Sequence, residues 1–158
     1  MRWELVPRRG VRGGGEVLLG MDRAALRSEL SAILGEPRSH FPDEDDYTSD
    51  EHGTWLRLRF DGDRLQDVEF LRGELYLDGV PLHGGARWSE LRGQLASRGF
   101  DFSPATELGD GQECPGLGVN IATHGDVGGD GDGIEWVIVA AAIAVGDGRP
   151  GIADEAQA

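Results

Sequence analysis

The sequence predicts an α+β fold: two tandem helix-plus-β-meander repeats, with helices packed on one face of an antiparallel sheet and the other face left open. Three observations predict it. A capped amphipathic helix follows Gly20, two alternating strand patterns follow that helix, and the helix pattern returns 65 residues later. With 158 residues, the chain is long enough to bury roughly two thirds of its unfolded surface without covalent staples. A single domain is expected over 1–145, with repeat one at about 16–80 and repeat two at about 81–145. The segment 146–158, rich in Gly, Asp and Ala, is expected to be disordered.

The first helix is written into "LLGMDRAALRSELSAILGEP". Gly20 permits a tight turn after Val17, Leu18 and Leu19, and Asp22 is placed to accept from the free amides of the first helical turn. Met21 and Leu26 have the spacing of a hydrophobic staple around that cap. Leu26, Leu30, Ile33 and Leu34 make one apolar stripe at helical period, and Gly35 with Pro37 ends it.

Next comes "WLRLRF", in which Leu56, Leu58 and Phe60 alternate with Arg57 and Arg59, the signature of a half-buried strand. Its partner is "LQDVEFL". One register sets Leu56 against Phe70 and Leu58 against Val68, and it also brings Arg57 to Glu69 and Arg59 to Asp67 on the opposite face. That pairing leaves Asp61 to Leu65 as a five-residue loop or a bulged turn. "ELYLDGV", Glu74 to Val80, is expected as the third strand.

The second unit repeats this order. Gly20 falls on Gly85, Leu26 on Leu91, Arg27 on Arg92 and Leu30 on Leu95. A helix is predicted near Arg87 to Arg98, with a poorer cap and an internal Gly93. Strand patterns "LGVNIAT" and "IEWVIVAAAIAV" follow, separated by a loop rich in Gly and Asp.

Composition excludes several functions. One cysteine, Cys114, leaves no intrachain disulfide, Cys-x-x-Cys motif or paired thiolate metal site, and a reducing cytoplasm is the expected compartment. No apolar run suits a signal peptide, and "WVIVAAAIAVG" is too short to span a bilayer, so no membrane role is expected. All fifteen basic residues are Arg, and the net charge is −14. That balance argues against nucleic acid, whose phosphates require a basic patch, and favours a basic protein partner. The charge is also uneven: 1–27 carries six Arg and three acids, whereas 101–158 carries one Arg and eleven acids.

The pattern Leu19, Gly20, Met21, Asp22 and Leu26, leading into a helix and a meander, resembles the BamE-like and β-lactamase inhibitor protein-like superfamily. The tandem layout is similar to the inhibitor protein in particular. The resemblance implies a non-enzymatic fold that presents a sheet to a partner. It is a fold-level resemblance and transfers no individual binding residue. Those relatives are exported and carry a lipid anchor or disulfides, so it implies neither membrane assembly nor inhibition of a secreted enzyme for this chain, which has a single Cys.

Candidate sites follow from residue type and spacing. "GDVGGDGDGIE" could offer Asp126, Asp130, Asp132 and Glu135 to Ca²⁺, but an EF-hand needs acids at positions 1, 3 and 5 with Glu at 12, and a flexible hairpin loop fits better. "HFPDEDDYTSDEH" reads as a solvated acidic loop in which Phe41 and Tyr47 would anchor a basic partner while Asp43, Glu44, Asp45 and Asp46 speed its approach. Arg57 and Arg59 would extend that surface along the strand, and Trp55 would either join them as an exposed anchor or be buried at the strand end under the N-terminal segment. Trp88 and Trp136 are expected in the core. His40, His52, His83 and His124 stand in no catalytic motif, Cys114 lies in a Gly/Pro turn, and "GVRGGG" reads as a flexible loop without the lysine of a phosphate-binding motif.

The expectation is therefore a non-enzymatic cytoplasmic protein-binding module of the immunity or inhibitor type that occludes a basic partner, with no cofactor and no metal. The alternatives are a calcium-binding module using Asp126 to Glu135, and a small hydrolase or isomerase with convergent His and carboxylate groups.

Overall fold

Three short strands, β1 (Arg2–Val6), β2 (Gly10–Arg12) and β3 (Glu16–Leu18), precede helix α1 (Arg23–Leu34) in the computed structural model, which describes residues 1–145. The segment expected to be disordered, 146–158, lies outside the described residues. Alternation along β1 turns Trp3 and Leu5 inward, while Arg2 and Glu4 pair on the opposite side at 3.0 Å. Helix α1 forms where the sequence predicts it. The Asp22 side chain accepts from the Ala25 amide at 3.1 Å, and Leu26, Leu30 and Leu34 are its buried stripe. Gly35 stops it with φ +84°, a left-handed conformation that spares glycine the Cβ clash.

An antiparallel meander follows, made of β4 (Glu44–Ser49), β5 (Thr54–Asp61) and β6 (Arg64–Arg72). Leu56 lies opposite Phe70, Leu58 opposite Val68, Arg57 opposite Glu69 and Arg59 opposite Asp67, the register that satisfies both faces. The connection is tighter than a five-residue loop. Asp61 still pairs with Arg64, and the slack is taken up by an irregularity between Arg59 and Phe60.

After Arg72 the chain leaves this sheet. It turns at Gly73, with φ +128°, where an added Cβ would stand 3.1 Å from the Phe70 ring and 3.2 Å from the Gly53 carbonyl. Strand β7 (Glu74–Leu77) then pairs in parallel with β1 and antiparallel with β8 (Val80–Pro81), giving a five-stranded sheet of order β3-β2-β1-β7-β8. The remainder is α2 (Trp88–Ala96), β9 (Ser103–Pro104), β10 (Gln112–Cys114), β11 (Val119–Thr123), β12 (Ile134–Ala140) and α3 (Ala141–Val145). Strand β12 inserts beside β6, so the second sheet has seven strands in the order β4-β5-β6-β12-β11-β10-β9.

This architecture corrects the expected α+β fold. The described residues form a β-rich fold, with two sheets and three short helices among them, rather than a single sheet covered by helices. The physical reason is the N-terminal segment: its inward Trp3, Leu5, Val11 and Val17 join Leu75 and Leu77 in one core with Leu56, Leu58, Val68, Phe70, Val137 and Val139 of the larger sheet. The helices add Leu26, Leu30, Leu34, Leu91 and Leu95 to that core. Fully burying each such side chain contributes about 1.5–3 kcal/mol.

Smaller expectations are corrected with it. Gly10–Arg12, read as flexible loop, is strand β2, and the strand over "IEWVIVAAAIAV" ends at Ala140, where α3 begins. Glu74 to Val80 breaks into β7 and β8 and belongs to the other sheet. The fully buried tryptophan is Trp3, whereas Trp88 and Trp136 are half-buried. Helix α2 has no cap of its own. Asp132, from the loop before β12, accepts from the Ser89 amide at 3.1 Å and from its hydroxyl, supplying the missing first-turn acceptor from a distance in sequence.

Candidate functional site

The register that buries Leu56, Leu58, Val68 and Phe70 forces Arg57, Arg59, Asp67 and Glu69 onto the opposite face, because side chains alternate along a strand. Strand β4 adds Glu44 opposite Arg59 and Asp46 opposite Arg57, and β12 adds Ile138 opposite Glu69. Through β11 and β10 the row continues to Asn120 and Glu113. One cross-strand row thus reads Asp46, Arg57, Glu69, Ile138, Asn120, Glu113.

Its left half is ionic. Arg57 lies 3.1 Å from Asp46, 3.4 Å from Glu44 and 3.8 Å from Glu69. Arg59 lies 2.6 Å from Glu69, 2.9 Å from Asp67 and 3.6 Å from Glu44. Four carboxylates therefore share two guanidiniums, and all four belong to buried residues. Burial pushes the Asp67 carboxyl up from its ordinary value despite the neighbouring Arg59, as expected for a cluster short of positive charge.

Its right half carries no ion pair: Ile138 stands beside the buried polar Asn120 and Glu113, whose hydrogen bonds hold an apolar patch in place. The Glu113 carboxylate accepts from the backbone amides of Thr106 at 2.9 Å and of Glu107 and Leu108 at 3.2 Å, folding that loop back beside the sheet. The Asn120 amide group donates to the Asp110 carbonyl at 2.8 Å, and the Trp136 indole donates to Asn120 Oδ1 at 2.7 Å. Leu108 and Trp136 pack there against Ile138, Ala140 and Ile143. Between the two halves lies a pocket of about 350 Å³, lined by Arg57, Arg59, Asp67, Glu69, Leu108, Trp136 and Ile138.

The structure divides the residues proposed from sequence. Glu44, Asp46, Arg57 and Arg59 stand together on this face, and half-buried Trp55 adjoins them, its indole donating to Asp46 and its ring 5.5 Å from the Arg57 guanidinium. Phe41, 61 % exposed, and Asp43 lie in the turn before β4. Asp45 and Tyr47 are not on the surface. The expected solvated loop is a strand from Glu44 onward, and its alternation sends Asp45 and Tyr47 to the core side, each 0 % exposed. Arg23 and Arg27 grip the Asp45 carboxylate, each with one bond of 2.7 Å, and Ser39 adds a third donor at 3.0 Å. Burial pushes that carboxyl up, but these donors outweigh it and hold Asp45 well below the usual range. Burial beside that charge pushes the Tyr47 phenol up to about 12. The outer edge of β4 is itself occupied, since Arg38 and Asp46 exchange two backbone bonds of 2.9 and 2.8 Å.

Asp67, Glu69, Leu108, Trp136 and Ile138 were not among the proposed residues. The first two were legible from the β5–β6 register. The other three depend on β12 pairing with β6, across more than sixty residues of sequence.

The two rival sites are built differently. In the Gly/Asp loop, Asp126 accepts from the Thr123 amide at 2.9 Å, Asp132 caps α2 and Glu135 pairs with His124. Among the described residues no group of three His, Cys, Asp or Glu side chains could hold a metal ion. A cleft of about 500 Å³ beside that loop does gather His83, His124 and Glu135. His83 is fully engaged, accepting from the Gly84 amide at 2.8 Å through Nδ1 and so donating through Nε2 to the Glu135 carbonyl at 3.2 Å. Burial also draws its pKa down, which favours the neutral ring. The cleft pairs an imidazole with a carboxylate, and no Ser, Thr, Cys or Lys lines it.

Over the described residues the fold and site define a β-rich two-sheet protein, with one face of its larger sheet given to a largely buried ionic network and a pocket that has one ionic and one apolar wall. Comparison with protein-family models, with curated proteins and with solved structures gives no match. Among the described residues no helix is long and apolar enough to cross a membrane.

Proposed function

We propose that the protein is a non-enzymatic binding module whose open sheet face occludes a basic protein partner, in the manner of an immunity or inhibitor protein. One observation carries this reading: four buried-residue carboxylates on that face share two guanidiniums, at a pocket with one ionic and one apolar wall. A partner's positive charge supplies what the network lacks, and Trp136, Leu108 and Ile138 supply the desolvated contact that gives a complex its affinity. The exposed Phe41 and Asp43 extend the surface at the end of β4. The net charge of −14 speeds the encounter. The reading supposes a cytoplasmic setting, in keeping with a single cysteine, Cys114, which is buried. It supposes neither nucleic acid nor membrane as a ligand. It rests on the sheet face and not on the Leu19 to Leu26 motif, which is a turn and a helix cap.

The test is affinity capture at low salt, followed by titration of the purified captured protein. Leu108→Arg on the pocket wall, which sets a like charge against a basic partner, should weaken binding at least about tenfold, and Tyr76→Ala on the outer face of the smaller sheet should not. Failure to capture any partner, or equal binding by both variants, would reject the reading.

A further inference from the structure

We infer that the pocket between Trp136 and Glu69 receives one cationic side chain of the partner, an arginine or a lysine. This rests on the reading of the face as a docking surface and names the chemistry that the surface selects. The seven lining residues form two walls, an apolar one of Leu108, Trp136 and Ile138 and an ionic one of Asp67 and Glu69 with Arg57 and Arg59. Lysine and arginine have the same division, an apolar stem and a charged head.

The ionic wall has acceptors to spare. Asp67 Oδ1 and Glu69 Oε1 each accept one bond from Arg59, at 2.9 and 2.6 Å, which leaves most of the lone pairs of both carboxylates to an incoming donor. It has no cation to spare. Each guanidinium already faces three carboxylates, so a phosphate or carboxylate ligand would have to displace an existing ion pair. The apolar wall offers no donor either, because the Trp136 indole N–H is taken by Asn120. A neutral side chain would fill the volume and leave the charge deficit unchanged. A cationic one answers both walls.

The test uses the isotope-labelled full chain and end-blocked Gly-Arg-Gly, with Gly-citrulline-Gly as its neutral isostere. The signals to follow are the Trp136 indole N–H and the backbone amides of Glu69 and Ile138. The arginine probe should shift them saturably, bind at least about tenfold more tightly than the citrulline probe, and weaken as salt rises. Glu69→Gln should erase the difference between the probes, with its spectrum reporting that the fold is kept. Equal response to both probes, response elsewhere on the molecule, or no response would overturn the inference. If the arginine probe fails while Leu108→Arg still weakens binding of a purified partner, the cationic anchor alone is lost. If both fail, the docking surface is lost with it.

Discussion

Strand β4 carries acids on both its sides, and the two sides hold them in opposite charge balance. On the core side one carboxylate, Asp45, meets two arginines and a serine, and its side chain is 0 % exposed. On the opposite, more open side four carboxylates, with side chains 5–12 % exposed, meet two arginines, whose side chains are 25 % and 33 % exposed. The first cluster lies well below the ordinary carboxylate range and its geometry is closed. In the second, Asp67 is shifted upward. Formal charge separates them: the Asp45 cluster sums to +1 and the open network to −2. The closed one ties helix α1 to β4, and the open one retains unmet attraction for a cation.

Breaking the closed cluster should have the largest effect. Asp45→Ala leaves Arg23 and Arg27 facing each other without an anion, and should cost about 3–5 kcal/mol in urea unfolding. Glu113→Ala comes next, because three backbone amides lose their acceptor in a partly buried loop. A cost of about 2–3 kcal/mol is expected, and hydrogen exchange should quicken at Thr106, Glu107 and Leu108.

These two carboxylates also mark where sequence reasoning reaches its limit. Period and register are local, so the Asp22 cap, the α1 stripe and the β5–β6 pairing, with Arg57 facing Glu69, were legible. The smaller sheet was not. Strands β2 and β3 have three residues each, too few for alternation to register, and β1 pairs with β7 across some seventy residues. That long-range pairing turned an expected helix-covered sheet into a two-sheet, β-rich fold. For the candidate site the same division holds. Arg57 and Arg59 were legible from alternation, but Glu44 and Asp46 were legible only as acids of an expected loop; once that segment is a strand, Asp45 and Tyr47 sit one residue out of phase and face the core. The Glu113 acceptor and the Asp132 cap act across loops, where no sequence period points to them.

The pH dependence sharpens the comparison further. Asp45 is shifted downward, so its contribution is present above the unfolded value of 3.8 and fades as pH falls through the lower folded value. Asp67 is shifted upward, so its ionised form is disfavoured on folding, and protonation favours the folded state as pH falls toward the raised value. Asp45→Asn should therefore flatten the acid limb of the stability curve. Asp67→Asn should gain relative to wild type at neutral pH and converge with it in acid. The smallest effect is expected of Leu108→Arg, within about 0.5 kcal/mol of wild type in unfolding, since the long side chain of this half-buried loop residue can carry its new charge to solvent.

The most direct test of the two charge balances is urea unfolding of Asp45→Asn and Asp67→Asn side by side at pH 7. Both substitutions remove one carboxylate charge from an arginine-paired site on the same sheet. The account predicts that Asp45→Asn lowers the midpoint sharply, while Asp67→Asn leaves it unchanged or raises it. A loss at Asp67 as large as that at Asp45 would show that the open face has no surplus of negative charge, and would contradict the account.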